Sequence, residues 1–198
     1  MLVHLHSLIS DLPGKAVIML HKLFNGLFGC TICFHPGLRL NVRGNVRVYP
    51  FGKDYEIRDS DEMRKHAIMA EFTQTEVFGI KGFSVLHNYI SLPEGCPVDY
   101  MHCILQGTGK WIIQAILNSK NKDTPYYLKP RQQKILNEKL SKIAVPHDMD
   151  RKPRSLDHIK YWKAIEVQHF LLYFGLPLLK GMLHEKYFHH FALLTSAT

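Results

Sequence analysis

Gly26-Leu27-Phe28-Gly29-Cys30-Thr31-Ile32-Cys33-Phe34-His35-Pro36-Gly37 sets two cysteines at C-x-x-C spacing between glycines and a Pro-Gly turn. That spacing lets two thiolates face one tetrahedral ion, and the glycines permit the tight backbone of such a loop. The stretch reads as half of a zinc site held by Cys30 and Cys33. Two other readings stay open: a pair of packed thiols in a turn, or a redox pair. The redox pair lacks the usual strand running straight into a helix opened by the C-x-x-C. The other half of the site is sought in Val98-Asp99-Tyr100-Met101-His102-Cys103, where Asp99 and His102 stand three positions apart. His102 is read either as a ligand or as a helix-start histidine bonded to a backbone carbonyl.

The bulk properties frame that loop. A chain of 198 residues, 46% of them hydrophobic, is long enough for a domain with a real core and is not a disordered tail. Lys and Arg number 25 against 17 Asp and Glu, a formal charge of +8 that is read either as favouring anionic partners, nucleic acid the commonest of them, or as a basic but ordinary surface. Four cysteines are too few for a disulfide scaffold and suit a reducing compartment. The start, Met1-Leu2-Val3-His4-Leu5-His6, has no basic region, and Asp11 interrupts the apolar stretch, so no signal peptide is read there. The uncharged run at Phe170 to Leu179 is about half a membrane span. A soluble intracellular chain with no membrane partner is expected.

Outward from the loop, the elements read as follows. Leu2 to Ile9 alternates loosely and predicts a short strand. Pro13 suits the first turn of a helix from Gly14 to Phe24, capped by Ser10 or Asp11, with Ala16, Met19, Leu20 and Leu23 on one face. Asp11 is therefore either a cap or a carboxylate presented at a sheet edge. Arg39 to Pro50 reads as a hairpin about Gly44-Asn45. Arg39, Arg43 and Arg47 lie along one basic edge, a phosphate contact or a solvated face. Asp59-Ser60-Asp61-Glu62 opens a helix reaching Thr75, and Val77 to Gly82 reads as an exposed connector. Asp99 to Leu117 reads as a helix capped by Asp99. Lys129 to Ile143 follows as a basic amphipathic helix, and His158 to Phe174 as a helix capped at Ser155 and broken by Gly175 and Pro177. Two further helices, Leu178 to Leu183 and Glu185 to Leu194, end the chain, with Leu183, Phe191 and Leu194 expected to need packing partners beyond these residues.

Taken in order, five blocks resemble the central part of the transposases of CACTA-type (En/Spm-like) DNA transposons. They are Asp11-Leu12-Pro13-Gly14-Lys15-Ala16; Phe24-Asn25-Gly26 with the C-x-x-C; Gly79-Ile80-Lys81-Gly82; Asp99-Tyr100-Met101-His102-Cys103; and Pro153-Arg154-Ser155-Leu156 with Tyr161-Trp162-Lys163-Ala164, running on to Leu176-Pro177-Leu178-Leu179-Lys180-Gly181. The resemblance implies an α/β, mainly helical chain. Residues 1–50 would be the remnant of an RNase H-like core with its C-x-x-C loop, and 51–198 a helical zinc-binding insertion. In such transposases three carboxylates hold two Mg or Mn ions for DNA cleavage and strand transfer. The family's acidic residue precedes the C-x-x-C by roughly twenty positions. Asp11 precedes Cys30 by nineteen, and the resemblance gives Asp11 the role of second carboxylate. Asp99-x-x-His102 matches the family's Asp-x-x-His element. The resemblance draws the remaining zinc ligands from downstream histidines, His102 first and His190 after it, with Cys103, His35, His184 and His189 also candidates.

The other two carboxylates are expected before Asp11 and beyond His190, outside this sequence. A lone carboxylate holds two metal ions poorly, so this chain by itself is expected to be a transposase-derived fragment without cleavage activity. Two further readings are a zinc-stabilised DNA- or protein-binding module, and a nuclease completed by another chain. Nuclear residence follows from the family only, since Lys129 to Lys142 is basic but spread along a helix.

Overall fold

The computed structural model describes residues 4–41, 46–147, 149 and 151–198. The chain is mainly helical with one small two-stranded sheet. It divides into two compact units, Met1–Asp99 and Tyr100–Thr198.

In the first unit, α1 spans Leu12–Ile18. Asp11 caps it, its Oδ1 accepting from the Gly14 N–H at 2.8 Å, and Pro13 sits where no amide partner is needed. The helix ends earlier than the apolar spacing predicts, because Leu20 adopts a left-handed φ of 49°. That turn sends Leu20 and Leu23 outward, and the backbone of His21 bridges to Ile80. The strand predicted at Leu2 to Ile9 does not form in its described part. Residues 5–9 have no ladder partner, and Leu8 N–H makes a single bond to Gly95 O; one such bond does not constitute a strand. Leu2 and Val3 lie outside the described residues.

The hairpin is present as β1 (Leu38–Leu40) and β2 (Val46–Val48), antiparallel with Arg39 opposite Arg47. Its turn, with Arg43, Gly44 and Asn45, lies outside the described residues. Helix α2 (Ser60–Thr73) starts as its acidic first turn predicts: Asp59 accepts from the Glu62 N–H at 2.8 Å, and the left-handed Gln74 stops it. Met63, Ala67 and Ala70 recur at i, i+4 and i+7 and are buried. Met63 and Ala67 join Met19, Ile80, Leu86, Leu92 and Cys96 in one core. Ile80 in the predicted exposed connector is thus a core residue. Gly79 delivers it with a φ of +83° that an L side chain resists, and a Cβ there would collide with Phe28 O.

In the second unit, Tyr100–Gly109 is a run of wide π-helical turns that continues into α3 (Lys110–Leu117). A tighter turn at Ser119–Asn121 leads to α4 (Pro130–Ser141), whose Leu136 and Leu140 point inward. Ser155 caps a short 3₁₀ turn at Leu156–Tyr161 by accepting from the Asp157 N–H. Then come α5 (Ala164–His169), π-helical turns at Phe170–Phe174, α6 (Gly175–Leu179) and α7 (Glu185–Ala197). Neither Gly175 nor Pro177 breaks the chain's helical course; the break falls at Lys180 and Gly181, where φ turns positive at Gly181. Gly175 serves contact instead, since a Cβ there would lie 2.8 Å from the Phe191 ring and 2.7 Å from Phe170 O. Gly175→Ala is expected to cost about 1–3 kcal/mol by overpacking, read as a lower urea midpoint at unchanged slope.

Among the described residues, the core of this unit includes Leu105, Ile113, Leu136, Val167, Phe170, Leu171 and Leu179. It also includes Leu183 and Phe191, and Leu194 packs against it. These three therefore find their partners within the unit, contrary to the expectation that they would need residues from outside. Glu166, 4% exposed, is held by a two-pronged contact with Arg154 at 2.5 and 2.6 Å and by the Lys163 N–H at 2.8 Å.

Candidate metal loop

The C-x-x-C loop is fixed from two sides. Phe34 N–H donates to Glu56 O and Arg58 N–H to Ile32 O, so Cys33 bridges antiparallel to Ile57. Beneath it lies the Arg58 side chain, 1% exposed. Its Nε donates to Cys30 O at 3.1 Å and Cys33 O at 3.2 Å, and its Nη2 to Phe78 O at 2.7 Å and Phe28 O at 3.4 Å. The guanidinium also stacks 4.4 Å from the Phe34 ring centre. Burial lowers the Arg58 pKa, and the nearby Cys30, Cys33 and Glu62 oppose that shift. A single cation thus organises both cysteine carbonyls.

The two sulfurs stand 3.5 Å apart, both half-buried. Two sulfurs bound to one tetrahedral zinc at about 2.3 Å each would be separated by about 3.8 Å, so the pair fits half a site with little adjustment. Burial pushes the Cys33 thiol above its ordinary value, and the neighbouring Cys30 adds to that. Metal binding must therefore displace protons, and any bound ion is expected to be released on acidification.

Cys30, Cys33, His35, Tyr49, Lys15 and Asp99 line one cavity of about 250 Å³. The structure thus brings Asp99, 69 positions away in sequence, to the cysteines' own cavity. His35 Nδ1 accepts from the Gly37 N–H at 2.8 Å, so the neutral ring carries its proton on Nε2, which is buried with no partner among the described residues. In that state Nε2 is a donor and offers no lone pair to a metal. His21 is the reverse. Its Nδ1 faces Lys22 O at 2.9 Å and must donate, leaving a buried Nε2 lone pair also without a partner among the described residues.

Asp11 is exposed and committed to capping α1. Arg47 donates to Asn25 O, Pro36 O and Gly37 O, bracing the loop's far end, while Arg39 is exposed on β1. Arg43 lies outside the described residues. His102 is exposed in the first turn of the π-helical run, and His190 is exposed on α7 beside Trp111 and Tyr187. Among the described residues no three His, Cys, Asp or Glu side chains are grouped closely enough to hold an ion. Also among them, no helix is long and apolar enough to cross a membrane. Sequence reasoning missed Arg58 and His21; a lone arginine before a helix cap and a lone histidine after a short helix carry no spacing signal.

Comparison of the chain with models of protein families, with curated proteins and with solved structures finds no match.

Proposed function

We propose that this chain descends from the catalytic domain of a CACTA-type transposase and retains its C-x-x-C loop as a structural zinc centre, without cleaving DNA by itself. The observation that carries this reading is the Cys30–Cys33 pair, 3.5 Å apart and braced by Arg58, within the motif order Asp11, Cys30-x-x-Cys33, Asp99-x-x-His102. On this reading residues 1–50 hold the remnant of an RNase H-like core and the rest a zinc-binding insertion. Asp11 is the ancestral carboxylate for Mg or Mn, now a helix cap. His102, then His190, are the further zinc ligands that the resemblance offers, and the protein resides in the nucleus.

A second reading, a zinc-stabilised DNA- or protein-binding module, is favoured by one feature: the second unit buries Leu183 and Phe191 in its own core. Metal content by mass spectrometry of the purified chain tests the shared part. One zinc per chain is expected, lost in Cys30→Ser and Cys33→Ser, and lost in His102→Ala if His102 is a ligand. Folded wild type without zinc would overturn the metal reading. Nicking of supercoiled plasmid with Mg or Mn, abolished by Asp11→Asn, would overturn the loss of cleavage.

A further inference from the structure

The net charge is unevenly shared. The unit ending at Asp99 has ten Lys and Arg against ten Asp and Glu, while the unit starting at Tyr100 has fifteen against seven. The whole formal +8 therefore belongs to the second unit. Within it the cations concentrate at α4 and the connector before it: Lys120, Lys122, Lys129, Arg131, Lys134, Lys139 and Lys142 are all exposed, with Asp123 and Glu138 the acids among them. None of the seven forms an ion pair among the described residues.

These cations are held on a common framework. Leu128 N–H donates to Ile116 O, and Gln133 Nε2 bridges Leu117 O at 3.0 Å and Leu128 O at 2.7 Å, fastening the start of α4 to the end of α3. Leu136 and Leu140 fix the rotation of α4 by facing the core, which turns Arg131, Lys134 and Lys142 to solvent. From Arg131 to Lys142 the ridge spans about 16 Å at the helical rise of about 1.5 Å per residue.

We propose that the outer face of α4 is a docking surface for the phosphate backbone of duplex DNA. Charge complementarity chooses a polyanion. An anionic membrane is disfavoured because the apolar face that would enter lipid is already spent on the core. Duplex DNA is favoured over duplex RNA because the wide major groove of B-form DNA admits a helix, whereas that of A-form RNA does not. Phosphate contacts position a protein without reading bases, so the binding is independent of sequence and strongly salt-dependent. This deepens the DNA-binding reading above and does not depend on zinc.

Fluorescence anisotropy of the full chain with a labelled random 24-base-pair duplex, across a salt series, tests it. The triple variant Arg131→Gln/Lys134→Gln/Lys142→Gln is compared with Lys53→Gln/Lys65→Gln/Lys81→Gln, three exposed cations of the first unit, circular dichroism confirming both folds. Loss of three phosphate contacts is expected to reduce the slope of log K against log salt by about 3 and to weaken binding about 100-fold or more at 100 mM salt. The first-unit variant should stay within about twofold of wild type. DNA binding by wild type with an unchanged slope in the α4 variant would overturn the surface while leaving a DNA-binding role intact. Absence of DNA binding at 50 mM salt would overturn both, as would preference for duplex RNA or for phosphatidylserine vesicles over DNA.

Discussion

Arg58→Ala is expected to be the most damaging single substitution in the first unit, lowering its stability by about 3–4 kcal/mol. The side chain serves four carbonyl oxygens, those of Phe28, Cys30, Cys33 and Phe78. Alanine would leave several of them without a donor in a site where Arg58 itself is 1% exposed. Each unsatisfied buried acceptor costs about 1–3 kcal/mol, and a lost bond to a charged donor costs about as much. Rearrangement and water entry recover part of the sum. Arg58→Lys should recover little, because one ammonium cannot reach two pairs of carbonyls as a planar fork does. Thermal melts read the effect as a fall of roughly 12–32 °C for a unit of this size. A fall under about 4 °C would show that the loop holds its shape without the guanidinium. The same variant separates bracing from ligation, since reduced zinc content at a temperature where it remains folded would mean that the loop's shape contributes to its affinity.

The second large effect is on acid stability and centres on His21. Burial is the main reason its pKa falls from 6.5 to about 4, and Arg58, Lys81 and Lys15 push the same way against the Lys22 carbonyl bond. The unfolded chain therefore binds the His21 proton more readily than the fold does. Stability is retained above about pH 6.5 and is lost as pH falls toward 4, by about 2 kcal/mol at pH 5 and about 3 at pH 4. Burial lowers the pKa of His66 and His87 as well, which adds in the same direction. His21→Gln keeps an amide for Lys22 O and removes the titration. Urea midpoints at pH 7.5 and 5.0 should differ less in the variant than in wild type by about 2 kcal/mol. Equal differences would mean that His21 takes up its proton as readily in the fold as in the unfolded chain.

What the sequence made legible was local. Asp59 with its acidic first turn marked α2, and the apolar spacing of Leu136 and Leu140 marked α4, because capping and amphipathicity are written within a few residues. The helix predicted at Asp99 to Leu117 is there as a helical course. Its first ten residues wind as π-helical turns, a widening that residue propensities do not encode. Gly175 looked like a breaker because its role, contact with Phe191, depends on a residue sixteen positions on. The candidate site divides in the same way. The cysteine pair was readable from its spacing, whereas Arg58 reaching Phe78 and Asp99 entering the cysteines' cavity are products of the folded path.

The division of charge has a consequence for handling and evolving the protein. Near neutral pH the first unit is close to isoelectric, the condition in which proteins self-associate most readily, and the colloidal repulsion that opposes this is supplied by the second unit. On a cation exchanger the chain would be retained through the second unit alone. Acidic drift in that unit would weaken retention and solubility together, even where every substitution leaves the fold intact.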